Sequence, residues 1–381
     1  MAITHGFLPT SLNVGKSNDL TRKRGRRLFA ELTIVDPFSQ YKNTRFAILG
    51  GGAFSLAMAK VLSYKNIQCR MLVRSQEVAD YINTNHYHPK YLTNNSLPSQ
   101  LWATSSAKDC LQDVTHVIHA VPMQQSREFL NSVKDYIPAK CPVLSVTKGV
   151  EQTTFCLMSD IVVETLGPEV RAAYLSGPSF AKEIMNGQAT AVVIASTDDN
   201  LASELSDMLS SVAFRCHTSK DVKGVELGGA MKNVIALSAG MCEGLGLGMN
   251  AMSSLITRGC LEMSRMGVLF GADQETFGGL AGVGDTFGTC LGPLSRNRQV
   301  GVRLARGEKL SEILSSIDGV SEGVYTALAL EQLIKTKVRP TVFEMKFPII
   351  SGVSSILKGN ITPEFGLRLL MEYPVRDENP Y

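Results

Sequence analysis

The chain has 381 residues, 44% of them hydrophobic and 19% charged, with a formal net charge of +3. That length normally divides into two domains, each able to bury its own core, and the near-neutral charge argues against a nucleic-acid binder, which needs a basic face, the Arg/Lys cluster near the N-terminus being the one local exception. No apolar run approaches the ~20 residues that span a bilayer, and the eight cysteines, with no CxxC pair, fit neither a zinc site nor a disulfide framework.

Residues 1–44 read as a tail rather than as part of a domain. Lys16, Arg22, Lys23, Arg24, Arg26 and Arg27 lie among hydroxyl residues, with Asp19 the single acid before Glu31. An Arg-rich, acid-poor leader without an apolar core suits an organellar transit peptide better than a secretory signal; the alternative is a tail of no targeting value.

From residue 45 to 219 the pattern is that of a dinucleotide-binding domain. Arg45–Gly50 is a buried-strand run that enters Gly50-Gly51-Gly52-Ala53-Phe54-Ser55, and a helix follows in LAMAKVLSYK. Strand, glycine turn and helix form the context that makes a G-x-G-x-x-G match credible. Gly50 permits the tight turn, Gly52 lets backbone approach a pyrophosphate, and the N–H groups at the helix start face the phosphates. Ser55 stands at the third glycine position and is expected to loosen helix–strand packing slightly. A second strand, Cys69–Arg74, ends where such folds usually place an acid facing the adenine ribose. Here Arg74 can pair with a 2′-phosphate or stack on adenine, so NADP(H) is at least tolerated.

Further strands are expected at 115–121, 142–147, 172–176, 190–195 and 214–218, alternating with helical stretches such as SREFLNSVKDYI and CLMSDIVVETLG. This alternation predicts a mostly parallel, doubly wound sheet, whose ligands bind outside the carboxyl ends of the strands. Lys148 lies at one such end, either as a solvated loop lysine or as a ligand contact. The turn Gly177-Pro178-Ser179-Phe180-Ala181 opens a helix whose N–H groups are suited to an anion or a carboxamide.

From residue 220 to 381 strand patterns vanish, and segments such as MSSLITRGCLEMSRMGVLF and GVYTALALEQLIK have helical period and length. Within GGAMKNVIALSAGMCEGLGLGMN, Lys232 beside Asn233 interrupts an apolar, small-residue helix. It either snorkels to the surface or sits in a pocket, where burial lowers its pKa and suits it to acid–base chemistry. The glycine-rich Gly279–Cys290 segment places Asp285 and Thr289 on a pinned loop or helix start. Ser295-Arg296-Asn297-Arg298 follows, readable as a helix cap with solvated charges or as a phosphate receptor.

Taken together, GAMKNVIALSAGMCEGLGLGMN, GPSFAKE, GVGDTFGTC and LSRNRQVG, in this order and spacing, resemble the NAD(P)-dependent glycerol-3-phosphate dehydrogenase family over roughly Arg45 to Met371. The wording around them looks most like the plant and algal plastid branch. The resemblance implies a Rossmann-like sheet followed by an all-α domain like the C-terminal domain of 6-phosphogluconate dehydrogenase. It implies NAD(H) or NADP(H) as cofactor, a homodimer, and a place in the plastid stroma or, alternatively, the cytoplasm. Lys232 would be catalytic, with Lys148 and Asp285 beside it. Lys148, Gly177, Ser179, Lys232, Asp285, Thr289, Ser295, Arg296 and Asn297 would meet glycerol 3-phosphate. Gly50, Gly52, Ala53, Phe54, Arg74, Lys148, Ala181, Arg296, Val320 and Glu322 would meet the cofactor, and no metal is called for. Ser55, where the family usually has Gly, bears on pyrophosphate affinity; Thr286-Phe287, replacing more aliphatic residues, is expected to alter packing only.

The implied chemistry is reversible hydride transfer between nicotinamide C4 and C2 of dihydroxyacetone phosphate. Lys232 would be the acid in reduction and the base in oxidation, with Lys148 as a second positive charge that depresses its pKa. Asp285 would either orient Lys232 or accept from a substrate hydroxyl. The competing readings are another NAD(P)-dependent hydroxy-acid dehydrogenase of this architecture, or a nucleotide-sensing protein that keeps the fold without the chemistry.

Overall fold

A computed structural model of the chain describes residues 39–317 and 319–372. The expected leader therefore falls almost entirely on residues 1–38, outside the described residues.

Eight strands form one sheet: β1 (Arg45–Leu49), β2 (Gln68–Leu72), β3 (Leu101–Thr104), β4 (His116–His119), β5 (Val143–Ser145), β6 (Ala172–Ser176), β7 (Thr190–Ala195) and β8 (Phe214–Ser219). They lie in the order β3-β2-β1-β4-β5-β6-β7-β8. Every neighbouring pair is parallel except β6 with β7, where Leu175 faces Ile194 in antiparallel register. β1 shows why the sheet is covered on both sides. Phe46 and Ile48 join the core on one face, and Ala47 and Leu49 join the core on the other, the pattern of a parallel strand buried on both faces.

Seven helices flank these strands: α1 (Ala53–Ser63), α2 (Gln76–Asn85), α3 (Ala107–Leu111), α4 (Met123–Val133), α5 (Met158–Leu166), α6 (Ala181–Met185) and α7 (Asp199–Leu209). The strand order reverses between β1 and β4, and the glycine turn sits at that point. Gly50 adopts φ +114°, and a Cβ there would lie 2.8 Å from the Ala120 carbonyl oxygen at the end of β4. Only glycine fits so tight an exit from β1.

Two details depart from the sequence pattern. β2 stops at Leu72 instead of running to Arg74, which leaves Arg74 exposed just beyond the strand. β3, the four-residue edge strand LWAT with Trp102 turned outward, has too few residues to show a period. The strands expected at 115–121 and 142–147 are likewise shorter at both ends, because pairing with their neighbours stops before the loops that carry the site.

After Ser219 the described residues are helical. α8 (Val222–Gly244) leads, followed by α9 (Gly248–Leu269), a π-turn at Leu280–Gly284, α10 (Asp285–Leu291), α11 (Arg296–Ala305), α12 (Leu310–Ser316), α13 (Glu322–Lys335), α14 (Pro340–Lys346), α15 (Pro348–Leu357) and α16 (Pro363–Met371). Every residue of α8 from Gly224 to Cys242 is buried. A helix buried all round needs packing partners on every side; α9, α10, α11 and α13 supply them, with β6 of the sheet on the remaining side. The pair Gly228-Gly229 makes this possible. A Cβ on Gly228 would stand 2.6 Å from the Ala281 carbonyl oxygen, and one on Gly229 would stand 2.8 Å from Ser176 Oγ. The helix thus touches the π-turn on one side and the end of β6 on the other, one turn before Lys232.

Candidate active site

Lys232 is 8% exposed, at the middle of α8. Its ammonium donates to Asp285 Oδ1 at 2.6 Å and to Thr289 Oγ1 at 3.1 Å. Asp285 is the first residue of α10 and Thr289 lies one turn later, so both face α8 from one helix side. Thr289 Oγ1 in turn donates to the Asp285 carbonyl at 2.6 Å, which turns a lone pair toward Lys232.

Lys148 reaches the same carboxylate from the sheet. It follows β5, donates to Asp285 Oδ2 at 2.7 Å and to the Gly177 carbonyl at 3.1 Å. The Ser179 hydroxyl donates to that same carbonyl at 2.8 Å. Asp285 thus holds two ammoniums, one per oxygen, and its own side chain is 3% exposed.

The electrostatics follow from this burial. Burial pushes the Lys232 ammonium down to about 8; Asp285 opposes that shift and Lys148 adds to it. Burial alone would raise the Asp285 carboxyl, yet the Lys148 and Lys232 ammoniums hold it below the ordinary carboxylate range. Two ammoniums against one carboxylate leave one positive charge uncompensated at the mouth of the sheet.

Ser295 caps α11, its Oγ accepting from Arg298 N at 3.2 Å, so the hydroxyl is occupied in starting the helix. Asn297 is buried and joins three elements. Its Nδ2 donates to Asn233 Oδ1 at 2.9 Å, and its Oδ1 accepts from Ser321 Oγ at 2.6 Å and Gly323 N at 3.0 Å. These bonds fix α11 and α13 to the residue beside Lys232. The Arg296 guanidinium lies against Gly319, where a Cβ would meet Nη1, and its charge acts on Glu322. Glu322, at the start of α13, accepts from Met123 N at 3.0 Å through Oε1, while Oε2 is buried without a partner. Burial pushes its carboxyl up to about 7, partly offset by the Met123 N–H and by Arg296. Val320 is half-buried in the same loop.

The nucleotide end lies at the carboxyl edge of β1. Gly52 precedes α1 with no side-chain cap, and a Cβ there would meet nothing within 4 Å. The start of α1 is thus left open at Gly52, beside half-buried Ala53 and Phe54, which is the space a phosphate at a helix start requires. The close protein contact falls on Gly51 instead, where a Cβ would be 2.8 Å from Val73 Cγ1. Ser55 is fully buried, its Oγ without a partner, and faces the Gly50 turn. Ala181 begins α6, whose preceding Pro178 and Phe180 pack on the glycines of the α10 segment. Thr286 is buried and donates to the Gly282 carbonyl at 2.8 Å, whereas Phe287 is half exposed. Among the described residues no group of three His, Cys, Asp or Glu side chains is placed to hold a metal ion.

Sequence reasoning missed the Met123 N–H under Glu322 and the Asn233–Asn297–Ser321 chain. Neither has a local signal, because each joins groups dozens of residues apart.

Comparison with known proteins gives one consistent result. Residues 45–202 match the family model of the NAD-dependent glycerol-3-phosphate dehydrogenase N-terminus, and residues 221–367 match that of its C-terminus. The chain is 40% identical over 340 residues to glycerol-3-phosphate dehydrogenase (NAD(+)) 2, chloroplastic, of Arabidopsis thaliana, covering 88% of this chain and 80% of that protein. It is 40% identical over 335 residues to glycerol-3-phosphate dehydrogenase (NAD(P)+) of Nitratidesulfovibrio vulgaris (strain DP4), covering 88% of this chain and 100% of that one. The crystal structure of glycerol-3-phosphate dehydrogenase from Coxiella burnetii superposes with a TM-score of 0.81 at 34% identity, covering 88% of this chain and 100% of that chain.

Proposed function

This chain belongs to the NAD-dependent glycerol-3-phosphate dehydrogenase family, and on that premise we propose that it catalyses the reversible, NAD(P)H-dependent reduction of dihydroxyacetone phosphate to sn-glycerol 3-phosphate, supplying the glycerolipid backbone. The observation that carries the reading is Asp285 holding the Lys232 and Lys148 ammoniums together, one from each half of the chain. The nicotinamide, when bound, supplies the hydride.

The chain's own residues handle the proton and the charge. Reduction places negative charge on the C2 oxygen, which Lys232 relieves by donating a proton; in oxidation the neutral amine takes it back. Asp285 keeps the Lys232 side chain from turning away, and Lys148 adds positive charge beside the ketone. Arg296 and the α11 start receive the phosphate, with Ser179 and the Gly177 turn on the opposite wall. Gly50, Gly52, Ala53 and Phe54 bind the pyrophosphate, Arg74 the adenine side, and Ala181, Val320 and Glu322 the nicotinamide end. The open N-terminus of α1 and the unpartnered Glu322 oxygen fit such a cofactor. The chain divides functionally at about residue 220, between a cofactor-binding part and a helical substrate-binding part.

Arg74, exposed beyond β2, supports acceptance of NADPH as well as NADH. The chloroplastic plant relatives and the basic leader support a plastid stromal enzyme. Apolar side chains left exposed on the helical part, among them Met249, Val268 and Phe287, support a homodimer. Steady-state rates with dihydroxyacetone phosphate and a panel of 2-keto acids, each with NADH and with NADPH, test the central reading. Activity confined to the keto acids would overturn it.

A further inference from the structure

Lys148 stands on the loop that follows β5, and Val150, two residues on, is fully buried in the core of the helical part. Thr147, Lys148 and Gly149 line a small cavity together with Ser176 and Glu226, and Gly149 leaves the lysine at φ +140°. Even a small shift of this loop would draw the Lys148 ammonium off Asp285, which it meets at 2.7 Å. Besides the bonds of its own turn, where Glu151 N donates to the Cys156 carbonyl at 3.0 Å, the loop is held by side chains and carbonyls of the segment running from the end of β4 into α4.

That segment grips both sides of Lys148. Before it, the Thr147 hydroxyl donates to the Val121 carbonyl at 2.7 Å. After it, Gln124 bonds the backbone twice: its Nε2 donates to the Val150 carbonyl at 2.9 Å and its Oε1 accepts from Gln152 N at 2.9 Å. Between those bonds Glu151, 4% exposed, receives Arg127 in a two-point contact, Nε to Oε1 at 3.0 Å and Nη2 to Oε2 at 2.9 Å. Thr154 also donates to Glu151, and Glu164 takes the outer nitrogen of Arg127. Planar two-point pairs of this kind fix orientation as well as distance. One helical turn links Gln124 to Arg127, and the first N–H of the same helix is the one that Glu322 accepts.

We propose that Gln124 and Arg127, through Val150, Glu151 and Gln152, are positioning residues for Lys148, so that the start of α4 sets the substrate-side ammonium from the cofactor side of the site. The inference rests on the reading of Lys148 as a substrate contact. A clamp acting in this way must lose its effect once Lys148 is gone.

The test is a double-mutant cycle. Gln124→Ala, Arg127→Met and Lys148→Ala are made singly, and the first two are repeated in the Lys148→Ala background. Steady-state kinetics with dihydroxyacetone phosphate are paired with fluorescence titration of NADPH. Small displacements of a reacting group are costly, so Gln124→Ala and Arg127→Met should each lower kcat/KM at least about tenfold, mainly through KM, with cofactor Kd within about twofold. Behind Lys148→Ala the same changes should cost less than about twofold. Equal losses in both backgrounds, a loss shared by cofactor Kd, or no loss beside intact Lys148 would overturn the proposal. Gln124→Ala leaves no buried charge unpaired, so it carries the test if Arg127→Met does not fold. A Lys148→Ala enzyme with unchanged KM would instead remove the reading of Lys148 beneath it.

Discussion

Lys232 combines a buried ammonium with a carboxylate partner that keeps it mostly charged at neutral pH. With its pKa near about 8, the two directions of the reaction should show opposite pH dependence. In the role proposed for Lys232 reduction uses the protonated form, so kcat/KM for dihydroxyacetone phosphate should fall as pH rises through about 8; oxidation of glycerol 3-phosphate would use the neutral amine and should rise through the same range. Lys232→Ala should keep cofactor affinity but lose at least ~10²-fold in turnover in both directions, with the pH step gone. Near-normal turnover in that variant would remove Lys232 from the proton transfer. This lysine was legible in the chain because an isolated charge in an apolar helix is conspicuous. What the chain did not reveal was Asp285 serving two lysines at once, or Asn297 turned inward to Asn233 and Ser321. Those bonds depend on how three helices meet, which no local pattern encodes.

Among the elements, α8 departs most from ordinary helix design. In an exposed helix, replacing glycine by alanine stabilises by about 0.5–1 kcal/mol. At Gly228 the added Cβ would meet a backbone carbonyl at 2.6 Å, and a backbone atom does not yield as a flexible side chain does. Gly228→Ala should therefore lower stability by about 1–3 kcal/mol, the scale of overpacking, read as a drop in the denaturation midpoint. A second element-scale device caps α15. Glu262 is buried and accepts from Ile349 N at 2.8 Å and Ile350 N at 3.1 Å, and burial pushes its carboxyl up to about 8. Since this folded value lies above the ordinary 4.5, the unfolded chain releases the proton first. The stability it contributes is complete in acid and lost as pH rises toward about 8. Against Glu262→Gln, the wild-type Tm should fall by a few degrees across that window; parallel curves would refute the buried acid. Long helices and full-length strands were readable from periodicity. β3 was not, since four residues with an outward Trp102 give no period, and the Arg127–Glu151 pair was not, since it joins a helix to a loop with no motif on either side.

At the scale of the molecule, acids of the helical part repeatedly meet donors of the sheet part. Asp285 takes Lys148, Glu322 takes Met123 N, and Glu226 takes Ser159 N at 2.9 Å. With α8 packed on β6 as well, the described residues from 45 to 372 should melt together. Trp102, the single tryptophan, reports the sheet, while far-UV circular dichroism is dominated by the helices. Denaturant transitions followed by the two signals should coincide; a gap between them would mean that these bridges do not couple the parts. The order of the folds along the chain was visible from the change of period near residue 220, but these bridges were not, because each pairs residues brought together only by docking. The uncompensated positive charge left by Lys148, Lys232 and Asp285 has a practical corollary. In the absence of substrate this charge should draw compact, doubly charged anions into the cleft. Inorganic phosphate and sulfate should compete with dihydroxyacetone phosphate, and they should do so less as Lys232 deprotonates in alkaline buffer. The choice of buffer salt thus becomes a kinetic variable for this enzyme, on the same footing as substrate concentration.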